Sequence, residues 1–170
     1  MEHFKGSKDA PIELTEFLDF ECTWCNNSYY VVNQLLRRFG PELRYSVKHF
    51  PNTNLHPNSM ICALAAEAAA CQQSFWPMHD AIFRHQKKLS VSFIRELALQ
   101  IGLDLARFDD DRNSESLYRK VKGQYSLGKS MGVVDTPSFF INGKRYHGSW
   151  HFDQLSQALT NVQLAKYQSL

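Results

Sequence analysis

The sequence predicts an α/β fold in which a long helical block interrupts a small sheet. Residues 12–49 carry a strand–helix–strand pattern, and residues 57–131 are helical in pattern throughout. Residues 138–147 then give a β-hairpin signal, before a last amphipathic segment. We therefore expect residues 1–56 and 132–170 to form one domain around an inserted helical domain at 57–131.

The first unit is a strand, a helix and a second strand. Ile12 to Phe20 is predicted as a strand, because Ile12, Leu14, Leu18 and Phe20 share one phase. The helix that follows has an apolar stripe spaced by four and three residues, at Cys25, Tyr29, Val32, Leu36 and Phe39. Gly40-Pro41 ends this helix, and Leu43 to His49 alternates apolar and polar residues. The helix supplies the crossover that a parallel strand pair needs.

Four helices are expected in the inserted block. Their ranges are Pro57 to Gln73, Phe75 to Gln86, a stretch capped by Ser90 or Ser92 that ends at Ile101-Gly102, and Leu117 to Leu127 closed by Gly128. Downstream, Asn142-Gly143 separates Ser138 to Ile141 from Lys144 to His147, which is the strongest short hairpin signal. A final amphipathic segment runs from Phe152 through Val162.

Composition indicates a globular protein without an obligatory nucleic-acid or membrane partner. The chain has 19 Lys and Arg against 17 Asp and Glu, and this near balance argues against binding to a polyanion. No apolar run is long enough to insert into a membrane, and the N-terminus has no apolar signal region. We expect a cytoplasmic protein if the chain is complete, and a periplasmic or other extracytoplasmic one if a signal or upstream domain was removed.

Four cysteines are too few for a disulfide-rich scaffold. Cys62 and Cys71 stand nine positions apart in an alanine-rich helix, on opposite faces and about 13 Å apart along its axis. They cannot bridge each other, and we expect buried free thiols, which favours a reducing compartment. The histidines show no metal-ligand spacing and are expected at surfaces or interfaces: His49, His56, His79 and His147.

The other two cysteines carry the chemistry, in Cys22-Thr23-Trp24-Cys25. They follow a strand and open a helix, where unpaired N–H groups and the helix dipole favour a thiolate. Cys22 is therefore the predicted attacking sulfur, and Cys25, on the buried stripe, the resolving thiol. The alternatives are a structural disulfide and a zinc half-site. Zinc is disfavoured because a closed site needs four ligands and no second pair is present, so no metal is expected.

Glu16 lies in phase with the apolar residues of the first strand, six residues before Cys22. A carboxylate there is costly unless it is protonated, paired or useful. We expect it below the cysteines with a raised pKa, exchanging protons with Cys25. The alternative is a partly solvated Glu16 that pairs with Arg44 or Lys48.

Thr136-Pro137 precedes the predicted hairpin. A proline that opens a strand is often an edge or turn device. If its bond to Thr136 is cis, the loop lies beside Cys22 and offers backbone groups to an extended substrate. Thr23 and Trp24, between the cysteines, are further candidates for substrate contact. Alternatively, Trp24 simply covers the helix end.

Taken together, these motifs resemble the DsbA-like family of bacterial thiol–disulfide oxidoreductases, especially its stand-alone or membrane-protein-fused members. The resemblance covers nearly the whole chain. It rests on Gly6 to Pro11, Glu16 to Cys25, Lys48 to Pro51, His56-Pro57, Phe75 to Asp80 and Thr136 to Gly143. It implies a thioredoxin fold with an inserted helical domain, a nucleophilic Cys22, a resolving Cys25, a cis Pro137 and a buried acid at Glu16.

Two residues depart from the family pattern, which usually has proline and then histidine or tyrosine between the cysteines. Here they are Thr23 and Trp24, so one thiolate stabiliser is missing and a very strong oxidant is not implied.

We expect disulfide exchange with cysteine-containing proteins or peptides, an unidentified redox recycling partner, and no metal or organic cofactor. The alternatives are a disulfide reductase or isomerase, and a non-catalytic redox sensor or adaptor. A glutathione-dependent transferase is disfavoured because both cysteines are present.

Overall fold

A computed structural model describes residues 2–167 of the chain, so the predicted outer boundaries at 1 and 170 lie outside the described residues. These residues form five strands and seven α-helices. The elements are β1 (Phe4–Lys5), β2 (Ile12–Leu18), α1 (Thr23–Phe39), β3 (Leu43–His49), α2 (Ser59–Ala70), α3 (Phe75–Arg84), α4 (Val91–Gln100), α5 (Leu105–Arg112), α6 (Glu115–Ser130), β4 (Ser138–Ile141), β5 (Lys144–Arg145) and α7 (Phe152–Tyr167). The predicted α/β class is confirmed.

The sheet has the order β1-β3-β2-β4-β5, with β2 at its centre. β2 runs parallel to β3 and antiparallel to β4, and Glu16 faces Val47 on one side and Phe139 on the other. The short edge strand β1, which the sequence did not indicate, pairs antiparallel with β3. Glu16 therefore lies in the middle of the sheet, on the strand that leads into α1.

Helix α1 packs on the sheet through a stripe of buried residues. Three of the five predicted stripe residues are buried, and at the other two places the buried residue is the one before the predicted one. Its buried residues are Cys25, Ser28, Val32, Leu35 and Phe39. Tyr29 and Leu36 are partly exposed at the flank of this face, because Ser28 turns inward to hydrogen-bond Glu16. The prediction of Tyr29 and Leu36 as stripe residues was therefore only approximate.

A second, smaller apolar cluster lies on the other face of the sheet and corrects the expected role of Gly128. It contains Phe17, Phe50, Val133 and Phe140. Gly128 was predicted to end its helix, but α6 continues to Ser130. A Cβ at Gly128 would come within 2.7 Å of the Phe50 ring and 2.9 Å of the Phe17 ring. The glycine is needed for close packing of α6 against the sheet, and the chain turns only at Gly132, whose φ is 80°.

Other predicted boundaries shift for local reasons. β2 ends at Leu18 rather than Phe20, because the Asp19 carbonyl accepts from the Cys22 N–H and turns the chain into α1. The second hairpin strand is shorter than expected and ends at Arg145. Ser90 caps α4 by accepting from the Phe93 N–H. Helix α5 was not predicted separately, and the Asp104 side chain caps it.

One burial expectation was wrong: Cys62 is buried as expected, but Cys71 follows the last residue of α2 and is exposed. His49 and His79, expected at surfaces or interfaces, are buried in an aromatic cluster at the interface between the sheet and α3. Among residues 2–167, no helix is long and apolar enough to cross a membrane.

Candidate active site

Cys22 and Cys25 lie where the central strand passes into α1. Cys22 is the N-cap residue of this helix and Cys25 lies in its first turn. Both side chains are thiols; Cys25 is completely buried and Cys22 only slightly exposed. The Cys22 Sγ atom lies 3.3 Å from the carbonyl oxygen of Thr136 in the facing loop.

The surroundings of Cys22 stabilise its thiolate. A hydrogen bond from Cys25 lowers the pKa of Cys22 to about 6, against the opposing effect of burial. Hydrogen bonding with Thr136 and with the backbone N–H groups of Cys25 and Trp24 lowers this pKa further. The backbone groups are those left unpaired in the first turn of a helix. Cys22 is therefore largely ionised at neutral pH.

Cys25 has the opposite electrostatic environment. Burial raises the pKa of Cys25 well above its usual range, and the hydrogen bond with Cys22 and the charge of Glu16 raise it further. Its Sγ atom accepts a hydrogen bond from the Asp19 N–H at 3.5 Å. The two thiols thus differ in acidity, since the site favours the thiolate of Cys22 and the protonated form of Cys25.

Glu16 is a buried acid near this pair, with 1% of its surface exposed. Its carboxylate accepts hydrogen bonds from Ser28 Oγ at 2.7 Å and Tyr45 Oη at 2.5 Å. Burial raises the pKa of Glu16 to about 7, and the two hydrogen bonds only partly oppose this. Arg44 instead pairs with Glu13, and Lys48 with Glu2, so the alternative pairing of Glu16 is not found.

A groove of about 510 Å³ opens beside the pair, and three of the four predicted substrate-contact residues line it: Trp24, Thr136 and Pro137. The Thr136–Pro137 peptide bond is cis. Thr23 is exposed at the first position of α1 and does not line this groove. The opposite wall comes from the segment after the hairpin, including Tyr146, Trp150 and His151. Tyr146 lies in the predicted hairpin strand Lys144 to His147, but sequence patterns gave no signal for Trp150 and His151, because residues 148–151 have no regular periodicity.

Two polar side chains that the sequence did not single out hold the active-site turn. Gln86 donates from Nε2 to the carbonyl oxygens of Phe20 at 2.8 Å and Cys22 at 2.9 Å. The buried Asp19 carboxylate accepts from the Asn52 N–H at 2.7 Å and contacts the His56 ring at 2.9 Å. Both link the turn to residues from outside it, and such long-range partners are not visible in a local pattern.

No group of three or more His, Cys, Asp or Glu side chains that could hold a metal ion occurs in the described part of the chain. The arrangement at Cys22 and Cys25 instead has the parts of thiol–disulfide exchange: an acidic attacking thiol, a buried second thiol, and a buried group that titrates near neutrality.

Comparison with known proteins agrees with this geometry. A family model described as Thioredoxin matches residues 1–161. Among solved structures, a thioredoxin-like oxidoreductase from Silicibacter pomeroyi DSS-3 is 22% identical, with a TM-score of 0.82 over 95% of this chain and 92% of that one. BdbD from Bacillus subtilis is 20% identical, with a TM-score of 0.84 over 95% of this chain and 92% of that one. These similarities confirm the fold.

Curated relatives with higher identity are much longer proteins. The Na(+)/H(+) antiporter NhaA 1 of Salinispora arenicola is 37% identical over 165 residues, which is 95% of this chain and 24% of that protein. The protein of the same name from Mycobacterium sp. (strain KMS) is 36% identical over 160 residues, 93% of this chain and 26% of that protein. The chain thus spans about a quarter of the length of these bacterial relatives.

Proposed function

Since the chain belongs to the thioredoxin family of thiol–disulfide oxidoreductases, we propose that it exchanges disulfides with cysteine-containing proteins or peptides through Cys22 and Cys25. The observation that carries this proposal is the opposite shift of the two thiol pKa values within one helical turn. A zinc half-site or a structural disulfide has no need of such an asymmetry, whereas an attacking and a resolving thiol require it.

Exchange proceeds through a mixed disulfide in either direction. In oxidation, a substrate thiolate attacks Cys22 Sγ of the Cys22–Cys25 disulfide, and Cys25 leaves as a thiolate that takes up a proton. A second substrate thiolate then attacks the substrate sulfur of the mixed disulfide and releases the Cys22 thiolate. In reduction, the Cys22 thiolate attacks a substrate disulfide, and Cys25 loses its proton and attacks Cys22 Sγ. Two electrons pass between the dithiol and the disulfide in each case.

Glu16 is the proposed proton acceptor and donor for Cys25. Its pKa of about 7 lets it hold or release a proton near neutral pH, and its charge affects the pKa of Cys25. Thr136 and Pro137 are the proposed backbone contact for the substrate, because the Thr136 carbonyl faces Cys22 Sγ. Thr23 and Trp24 remain the proposed contacts on the helix side.

The direction of exchange follows from how strongly the dithiol form is stabilised. The pKa of Cys22 is lowered to about 6, which favours its thiolate. A more acidic Cys22 stabilises the dithiol and makes the disulfide a stronger oxidant. We therefore expect the Cys22–Cys25 disulfide to be more oxidising than one formed by thiols of ordinary pKa.

The test is equilibration of the Cys22–Cys25 pair with glutathione buffers, followed by turnover of a disulfide peptide. Only the exposed Cys71 needs to be changed to Ser, since Cys62 is buried and its thiol pKa is raised. A potential near about −270 mV indicates a reductase in a reducing compartment, and one near about −120 mV indicates a disulfide donor outside the cytoplasm.

Cys22→Ser is the matched loss-of-function variant. A pair that titrates but never turns over a substrate indicates the alternative of a redox sensor or adaptor. Absence of an intramolecular disulfide at every potential contradicts the proposal itself.

A membrane protein is a proposed partner of this domain, because the relatives that contain a similar segment are antiporters about four times as long as the chain. Cross-linking through Cys22 in membranes that contain such a protein tests this proposal.

A further inference from the structure

We propose that the groove beside Cys22 binds an aromatic side chain that flanks the substrate cysteine, with Trp24 and Trp150 as its specificity-determining residues. The inference rests on the proposed function and names the class of substrate that the same site selects.

Trp24 is the first observation, because it is 62% exposed although it is a large apolar side chain. It lies between the two cysteines in the first turn of α1, so the backbone that positions Cys22 also fixes Trp24. Large aromatic side chains that stay exposed next to a reactive group are typical of binding surfaces. An indole that only covered a helix end would be buried against it.

Trp150 gives the groove a second aromatic wall. Its ring lies 6.3 Å from that of Trp24 at an interplanar angle of 59°, and it stacks on His151 at 4.8 Å and 6°. The His151 stack holds the Trp150 ring in place, and at this separation the two indoles are in tilted contact and form one aromatic surface. A third ring can pack on the outer faces and edges of this surface in the offset or edge-to-face arrangements that aromatic groups prefer.

The groove adjoins Cys22 through the loop that carries the cis proline. Thr136 and Pro137 line it, and the Thr136 carbonyl oxygen is 3.3 Å from Cys22 Sγ. A substrate that lies extended along this loop with its cysteine at Cys22 places a side chain one or two residues away into the groove, because the extended chain advances about 3.3 Å per residue.

Charge in the groove does not favour an ionic side chain. Its formal charges, on Arg145 and Asp135, have opposite signs, the Arg145 guanidinium already donates to the Gly132 carbonyl, and the other titratable residues that line it are His147 and His151. A charged side chain bound in the groove would therefore be attracted by one of the two charged groups and repelled by the other. The aromatic walls are the feature left to discriminate, and the volume of about 510 Å³ accommodates one aromatic side chain and its backbone.

The experiment compares turnover of matched disulfide peptides that differ only in the residues within two positions of the reacting cysteine. We expect kcat/KM for a peptide with Phe to exceed that for its Ala counterpart about tenfold. Trp24→Ala and Trp150→Ala should each reduce this ratio toward one. Tyr118→Ala, which removes an exposed aromatic side chain on α6, is the control and should keep the ratio.

The outcomes separate the inference from the function. Turnover of no peptide by the unchanged protein contradicts the proposed function. Turnover of Phe, Ala, Glu and Lys peptides at equal rates supports the function and overturns the aromatic subsite, as does a ratio that survives both tryptophan variants. If Trp150→Ala does not fold, Trp150→Leu and the surface variant Trp24→Ala keep the test decisive.

Discussion

Glu16 and Glu67 are equally buried carboxylates, each 1% exposed, and the protein shifts their pKa values in opposite directions. Burial raises the pKa of both. At Glu16 this effect prevails and the pKa reaches about 7, whereas at Glu67 hydrogen bonds from His3 and His49 outweigh it and hold the pKa well below its usual range. At equal burial, the partners of these two acids therefore decide which of them is protonated more readily.

The two sets of partners differ in charge. Glu67, on α2, lies within hydrogen-bond distance of the rings of His3 at 2.9 Å and His49 at 3.1 Å, and of the Lys120 ammonium. Glu16 has only the neutral hydroxyls of Ser28 and Tyr45. Glu67 is therefore a fixed charge that joins the N-terminal segment, β3, α2 and α6. Glu16, whose pKa is raised to about 7, is the group proposed to exchange protons with Cys25.

The largest predicted effect is on stability. Glu67→Gln leaves basic partners around a buried amide, and we expect it to lower the free energy of unfolding by about 3 kcal/mol at pH 7. Glu16→Gln removes no charged partner and should leave stability at pH 8 unchanged or slightly higher, because it removes a buried charge. Urea unfolding of both variants measures the difference. Equal destabilisation by the two substitutions would contradict the comparison.

The same variants should differ in the pH range of their effect. The raised pKa of Glu16 gives stability that is present below pH 4.5 and lost as pH rises to about 7, since the folded form binds the proton more tightly. The lowered pKa of Glu67 gives stability that is present above pH 4.5 and lost as pH falls. Glu16→Gln should therefore make the free energy of unfolding less dependent on pH between pH 4.5 and 7. Glu67→Gln should do the same below pH 4.5.

The next effect is on the resolving step. If Glu16 accepts the Cys25 proton, resolution of a Cys22–glutathione mixed disulfide should speed up as pH rises through about 7. In Glu16→Gln this inflection should vanish and the rate at pH 7.5 should fall about tenfold. Stopped-flow fluorescence measures the rate. The control is Glu13→Gln on the same strand, whose side chain pairs with Arg44. An inflection that persists in Glu16→Gln would rule out this role.

The sequence was informative about one carboxylate and silent about the other, for a physical reason. Glu16 interrupts an alternating apolar strand, so its burial next to Cys22 was predictable from period and spacing alone. Glu67 lies in an alanine-rich helix, and its partners come from residues 3, 49 and 120. No local pattern indicates such a cluster, and His49 was accordingly expected only at a surface or interface.

The same distinction holds for the fold and the site. The β–α–β unit, the helical block and the hairpin follow from local periodicity, and all of them are present. The edge strand β1, the packing role of Gly128, the Gln86 bridge and the Trp150 wall depend on contacts between distant segments. They were missed because nothing in their own sequence neighbourhood requires them.

A smaller effect is expected from the partner that lowers the pKa of Glu16. The Tyr45 hydroxyl donates to the ionised carboxylate, so Tyr45→Phe should raise the Glu16 pKa above about 7. The inflection of the resolving rate should move up by about one pH unit, the value of one hydrogen bond to a charged group. Tyr118→Phe, at an exposed position on α6, is the control. A shift to lower pH would contradict the assignment of Tyr45 as donor.

The smallest effect is expected at Lys120, the partner of Glu67 whose side chain is 27% exposed. Solvent screens a partly exposed ammonium, and both histidines still hydrogen-bond Glu67 in its absence, so Lys120→Met should cost about 0.5–1 kcal/mol. Because screening is electrostatic, that cost should shrink in 1 M salt, whereas the loss in Glu67→Gln should persist. Urea unfolding at low and high salt, with Lys129→Met as an exposed control, measures both. A loss at Lys120 as large and as salt-independent as that at Glu67 would mean that the lysine, and not the histidine pair, keeps the carboxylate ionised.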